Sequence, residues 1–134
     1  MNTTPIGFGV SYVACLVVLL GLDAIWLTSM RQVLYEPAIG SLLADKPNFA
    51  AIVVFYLLYP MGVVFFAIAP ADAWTQALLR GALFGLFAYA TYDLTNQATL
   101  RLWSTRLTVL DMIWGGGLTA IAALAGYAAA RRIG

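Results

Sequence analysis

Asp23, Asp93 and Asp111 lie inside stretches that are otherwise apolar enough to cross a membrane. A carboxylate in hydrocarbon is costly unless it is paired, wetted or protonated, so an intramembrane acid marks a site until shown otherwise. The chemistries open to such groups are holding a proton, binding a cation or polar headgroup, and general acid catalysis. Asn96 follows Asp93 by one helical turn and Tyr89 precedes it by one, so all three share a face. Leu22-Asp23-Ala24-Ile25-Trp26 and Leu110-Asp111-Met112-Ile113-Trp114 repeat the pattern Leu-Asp-x-Ile-Trp. In each, the tryptophan follows its aspartate by three residues and falls on nearly the same helical face. With Tyr92 beside Asp93, the candidate ligand-binding set is Asp23, Trp26, Tyr89, Tyr92, Asp93, Asn96, Asp111 and Trp114.

A plainer reading competes. Arg31, Arg101 and Arg106 each lie about 8–12 Å along the chain from one of the acids, within reach of a long side chain. These arginines are ion-pair candidates, and the acids would then only pin helix ends. The aromatic residues likewise divide between lining a pocket and anchoring helices at the membrane interface. No catalytic residue is assigned. The chain has no histidine, which excludes histidine-ligated haem, histidine-rich iron sites and histidine acid–base chemistry. Carboxylate and amide oxygens suit a hard cation, but no ligand spacing supports one, so the expectation is no metal and no cofactor. Cys15 is the only cysteine and forms no internal disulfide.

These acids need apolar elements to hold them. Of the 134 residues, 63% are hydrophobic and only 10% charged, against about 25% charged in a soluble domain. The mean hydropathy of +0.88 points the same way. A net charge of +1 offers no basic surface for nucleic acid. Crossing the hydrocarbon core takes about 20 apolar residues, and spans are expected at about 7–30, 49–69, 75–99 and 107–130. The first has no basic residues before it and is too long for a secretory signal peptide, so it reads as a retained helix.

The expected fold is an all-α membrane protein. A single domain over 1–134 holds four transmembrane helices in an antiparallel bundle. A short interfacial helix is expected in residues 31–48, where Ile39, Leu42 and Leu43 follow Pro37 at helical spacing. The connections 70–74 and 100–106 are short, making their flanking helices antiparallel neighbours. Counted from the span ends, all three acids fall roughly 6–11 Å below the surface that bears the 31–48 and 100–106 connections. Arg31, Lys46, Arg101 and Arg106 share that surface, so it is expected to face the cytoplasm, with periplasmic termini. Gly81 and Gly85 form Gly-x-x-x-Gly, the spacing of a close helix–helix contact, within the bundle or across a homo-oligomer.

Ala88-Tyr89-Ala90-Thr91-Tyr92-Asp93-Leu94-Thr95-Asn96, followed by Ala98-Thr99-Leu100, resembles the hallmark block of a bacterial membrane protein family catalogued as domain of unknown function 2177. Phe55-Tyr56-Leu57-Leu58-Tyr59, the two Leu-Asp-x-Ile-Trp segments and Gly115 after the second are also similar to its recurrent segments. The likeness spans nearly the whole chain. It implies a four-helix protein of the bacterial inner membrane and implies no activity. Three functional readings stand: a protein that binds or passes a small ligand, proton or cation; a membrane enzyme acting on a lipid or isoprenoid chain; and a structural or accessory subunit of a larger membrane complex. Membrane lipids are the expected surroundings, and a homo-oligomer or larger membrane complex the expected assembly.

Overall fold

Apolar segments in lipid must satisfy their backbone internally, and this chain does so with helices alone. The computed structural model describes residues 4–133, and those residues contain no strand. Four long helices carry the fold: α1 (Pro5–Met30), α3 (Phe49–Val63), α4 (Trp74–Thr99) and α5 (Thr105–Arg132), with a short α2 (Glu36–Ile39) after α1. Their starts are written locally. Thr4, Asn48 and Ser104 are N-caps whose side chains accept from the backbone N–H of Gly7, Ala51 and Leu107. Pro5 adds a fixed φ at the first position of α1.

The chain does not leave the helix at Met30. Arg31–Tyr35 widen into a π turn, α2 follows, and a 3-10 turn over Gly40–Leu42 closes the run. The segment expected to hold a separate helix after Pro37 is therefore continuous with α1, and Pro37, which has no N–H to give the preceding turn, follows directly on the π turn, where the regular ladder is already interrupted. Leu34 and Ile39 pack on Leu107 at the start of α5, with Trp26, Met30 and Trp103 around them. A second wide turn, Val64–Ile68, extends α3 beyond Pro60. Pro60 has no N–H to offer the Tyr56 carbonyl. The neighbouring Leu57 carbonyl accepts from the Tyr12 hydroxyl at 2.8 Å, tying α1 to α3 beside the proline.

Three helices are long and apolar enough to cross a membrane: Pro5–Leu42, Phe49–Ile68 and Thr105–Arg132. The helix over the expected third span, α4, has 26 residues but carries Gln76, Arg80, Asp93, Asn96 and Gln97, and is not among these three.

Helix α5 is the axis of the bundle. Its buried face is made of small residues, among them Gly115, Gly116, Thr119, Ala120, Ala122, Ala123 and Gly126. Without a hydrophobic driving force in lipid, close backbone approach is what gains contact, and small residues permit it. The α4–α5 contact is the most extensive, followed by α1–α5. A Cβ on Gly81 would lie 2.7 Å from Ala123 Cβ, and one on Gly85 would run into the Gly115 carbonyl and Thr119. The Gly-x-x-x-Gly face is thus used inside the bundle, against α5. Gly126 gives room in the same way to Ser11 of α1 and to Ile68.

Gly85→Leu should destabilise the protein in detergent by about 1–3 kcal/mol or more, since the side chain would run into the Gly115 backbone carbonyl and the short, branched Thr119 side chain. Gly117 faces open space. Gly117→Ala should change stability by no more than about 1 kcal/mol, in the stabilising direction. Thermal unfolding of the two variants side by side checks both, and equal melting points would refute the close-contact assignment.

Candidate functional site

All three of these aspartates are buried: Asp23 is 7% exposed, Asp93 0% and Asp111 5%. None is in an ion pair. The one salt bridge among the described residues joins Arg31 to Glu36 at 3.2 Å on the exposed end of the first helical run. The expected partnership of Arg31, Arg101 and Arg106 with the acids is therefore not found. Arg31 reaches forward along its own segment to Glu36, a partner that stays hydrated and avoids the cost of taking the guanidinium into the bundle.

Neutral donors do the work instead. The Tyr56 hydroxyl donates to Asp23 Oδ2 at 2.6 Å, and Trp114 Nε1 donates to Asp23 Oδ1 at 3.1 Å. The Tyr35 hydroxyl donates to Asp111 Oδ1 at 2.6 Å and itself accepts from Trp26 Nε1 at 2.9 Å. The indoles of Trp26 and Trp114 stack with centroids 4.4 Å apart and planes 7° from parallel. The two Leu-Asp-x-Ile-Trp segments, running in opposite directions on α1 and α5, thus meet as a pair. Each tryptophan serves the aspartate of the other segment, Trp114 directly and Trp26 through Tyr35. Hydrogen bonds to an ionised acceptor are worth roughly 1.5–3 kcal/mol each, so this exchange holds α1, α3 and α5 together around the acids.

A cavity of about 470 Å³ adjoins the stack. Asp23, Trp26 and Leu27 of α1 line it, with Tyr35 above and Asp111 and Trp114 of α5 at its back. Phe55, Tyr56 and Tyr59 of α3 and Ala88, Tyr89 and Tyr92 of α4 form its flanks. The backbones of α3 and α4 approach each other chiefly over Val64–Ile68. Toward the start of α3 they diverge, bridged by ring contacts of Tyr59 with Phe84 and Tyr89. The Tyr59 hydroxyl shares a 2.7 Å hydrogen bond with Thr119 and closes the floor. Gly115 has no Cβ because the Tyr89 ring occupies that space. The half-exposed Phe55 and Tyr92 mark the rim.

Asp93 stands apart. It does not line the cavity, and neither carboxylate oxygen has a hydrogen-bond donor. Its close neighbour is the Asp111 carboxyl, within hydrogen-bonding reach. Asn96, expected to be its partner, does not bond it. The other polar neighbours are also spoken for. Thr91, Thr95 and Thr99 return their hydroxyls to carbonyls one turn back on α4, the usual way for a hydroxyl to satisfy itself in an apolar setting. Gln97 donates to Thr105 and Trp103 to Thr108, closing the α4–α5 hairpin. Much of the polar run around Asp93 is thus helix and hairpin structure, and the Asp93 carboxylate is its buried group without a partner. No group of three or more His, Cys, Asp or Glu side chains close enough to hold an ion occurs among the described residues.

Of the candidate set, Asp23, Trp26, Tyr89, Tyr92, Asp111 and Trp114 meet around the cavity, and Asp93 and Asn96 do not line it. Sequence reasoning missed Tyr35, which bridges Trp26 to Asp111, and did not include Tyr56 in the set. Tyr56 lies in the Phe55–Tyr59 aromatic block, which was a usable signal. Tyr35 lies in a stretch that reads as a connection, and nothing local announces that it returns to α5.

Every residue of this site falls within one family match. The family model described as "Predicted membrane protein (DUF2177)" matches residues 8–128, which takes in both Leu-Asp-x-Ile-Trp segments and Asp93. No curated protein and no solved structure matches the chain. The chain belongs to this family of predicted membrane proteins.

Proposed function

We propose that the protein is a multi-pass protein of the bacterial inner membrane that binds a small cationic amphiphile in the cavity between α3 and α4. The observation that carries this reading is the composition of the cavity wall. Two carboxylates, Asp23 and Asp111, stand among eight aromatic residues with no basic side chain. Aromatic faces and anions together favour a weakly hydrated organic cation, which an aromatic wall attracts and a carboxylate neutralises. The divergence of α3 from α4 supplies a sideways entrance, suited to a ligand that arrives through the bilayer. Of the competing roles, an accessory subunit with arginine-paired acids draws no support from the contacts, because the acids have no such partners.

In this reading α4 also crosses the membrane, bringing the spans to four, its polar residues turned to α5 or to the interfaces. Both termini then lie on the periplasmic side, with Arg31, Lys46, Arg101 and Arg106 in the cytoplasm. With Cys15 replaced by Ala, single cysteines at Ser41, Asp72 and Leu102 test this. Asp72→Cys should react with an impermeant maleimide in intact cells, and the other two only after the membrane is opened. Labelling of positions 72 and 102 from one side would remove the fourth span.

Tetraphenylphosphonium and tetraphenylborate have nearly the same size and opposite charge, which makes them a clean pair of probes. The phosphonium should bind the purified protein and quench the fluorescence of the stacked tryptophans, and the borate should not. Asp23→Asn should weaken phosphonium binding about tenfold or more, equivalent to about 1.4 kcal/mol. Equal binding of the two ions would overturn the cationic reading.

A further inference from the structure

A charged carboxylate that is fully enclosed, with no donor and no cation, bears a desolvation cost that nothing repays. Asp93 is in that position. It is 0% exposed and both its oxygens lack a donor. The groups that face it are Asp111 from α5, Tyr35 from the π turn after α1, and Tyr92 from its own helix. Thr108 of α5 reaches only the Asp93 backbone carbonyl, at 3.5 Å. The Val64–Ile68 turn packed against α4 brings no titratable group. Asp23 is held elsewhere, by Tyr56 and Trp114. A proton placed on Asp93 resolves the arrangement at once. The acid O–H donates to Asp111, which then accepts from both Asp93 and Tyr35.

We infer that Asp93 and Asp111 form a proton-sharing carboxyl pair, and that a cation entering the cavity beside Asp111 exchanges for that proton. Asp111 is the hinge of the exchange, because it both lines the cavity and touches Asp93. With the cavity empty, the pair carries one proton and one negative charge. When a cation binds, the O–H bond of the pair breaks, the proton leaves to water, and two carboxylates remain with the cation beside them. The net charge inside the protein is the same before and after, so the exchange carries no additional charge into the membrane. The inference about exchange rests on the cationic reading of the cavity. The proton pair itself does not.

Two measurements separate them. Infrared spectra of the ligand-free protein should show the carbonyl stretch of a protonated carboxylic acid, and Asp93→Asn should abolish it. The asparagine can still donate an N–H to Asp111, so the fold and the cavity should survive. Titration with tetraphenylphosphonium in buffers of differing ionisation enthalpy should show about one proton released per cation bound. Its affinity should fall as the pH is lowered, by up to about tenfold per pH unit. In Asp93→Asn, cation binding should persist without proton release and lose that pH dependence. An acid carbonyl band that is absent, or unchanged in Asp93→Asn, overturns the pair. Binding without proton release in the unaltered protein overturns the exchange. No phosphonium binding, with the band present and lost on substitution, overturns the cationic reading and the exchange while the pair stands.

Discussion

A carboxylate that can reach neither water nor a cation must be satisfied by neutral donors or give up its charge. Much of the interior of this protein follows from that constraint. Asp23 receives two donors, Asp111 one from Tyr35, and Asp93 none. The donors are phenol and indole groups, which carry a polar tip on a large apolar body and so bring the hydrogen bond without a second charge. Because they come from α1, the turn after it, α3 and α5, satisfying the acids also fixes where those elements sit. An arginine in the same place would bring its own desolvation cost and a longer, less constrained side chain.

The aromatic donors explain two oddities of the backbone. The π turn at Arg31–Tyr35 places one extra residue in the helical turn, which shifts the following side chains around the axis. Tyr35 is at the end of that turn, and its hydroxyl lies between Trp26 and Asp111. The second wide turn, Val64–Ile68, sits where α3 closes against α4 and α5, just beyond the stretch that stands away from α4. The first of these departures from α geometry contributes Tyr35 to the cavity wall, and wide turns of this kind are frequent at functional sites.

The general character of the fold was legible in the sequence because lipid imposes so few options. Apolar runs of this length admit helices only, and the caps at Thr4, Asn48 and Ser104 mark where three of them begin. The glycine spacing at Gly81 and Gly85 announced a close contact, and the partner helix followed only from the structure. The site was legible by halves. Burial of the aspartates follows from the cost of exposing them to lipid, and that argument needs no partner. Partner choice was not legible. Spacing along one helix suggested arginines and Asn96, whereas the real partners lie 33, 76 and 91 residues away in sequence. Hydrogen bonds of that separation depend on how helices are rotated about their axes, which no local pattern encodes.

The matched Leu-Asp-x-Ile-Trp segments show how such a rotation is fixed. On antiparallel helices, a residue three after an aspartate points toward opposite ends of the bundle in the two segments. Stacking the two tryptophans therefore brings the indole N–H of one segment toward the acid side of the other. A stacked aromatic pair is worth about 0.5–1.5 kcal/mol beyond burial, too little to set a helix interface alone. Coupled to hydrogen bonds with two buried carboxylates, it becomes directional: rotating α1 against α5 would break the stack and strip donors from Asp23 and Asp111 in one move. The register of the bundle and the charge state of its interior are thus set by the same few side chains. A ligand that alters either acid acts directly on the contacts between α1, α3 and α5, and needs no longer route to be felt across the protein.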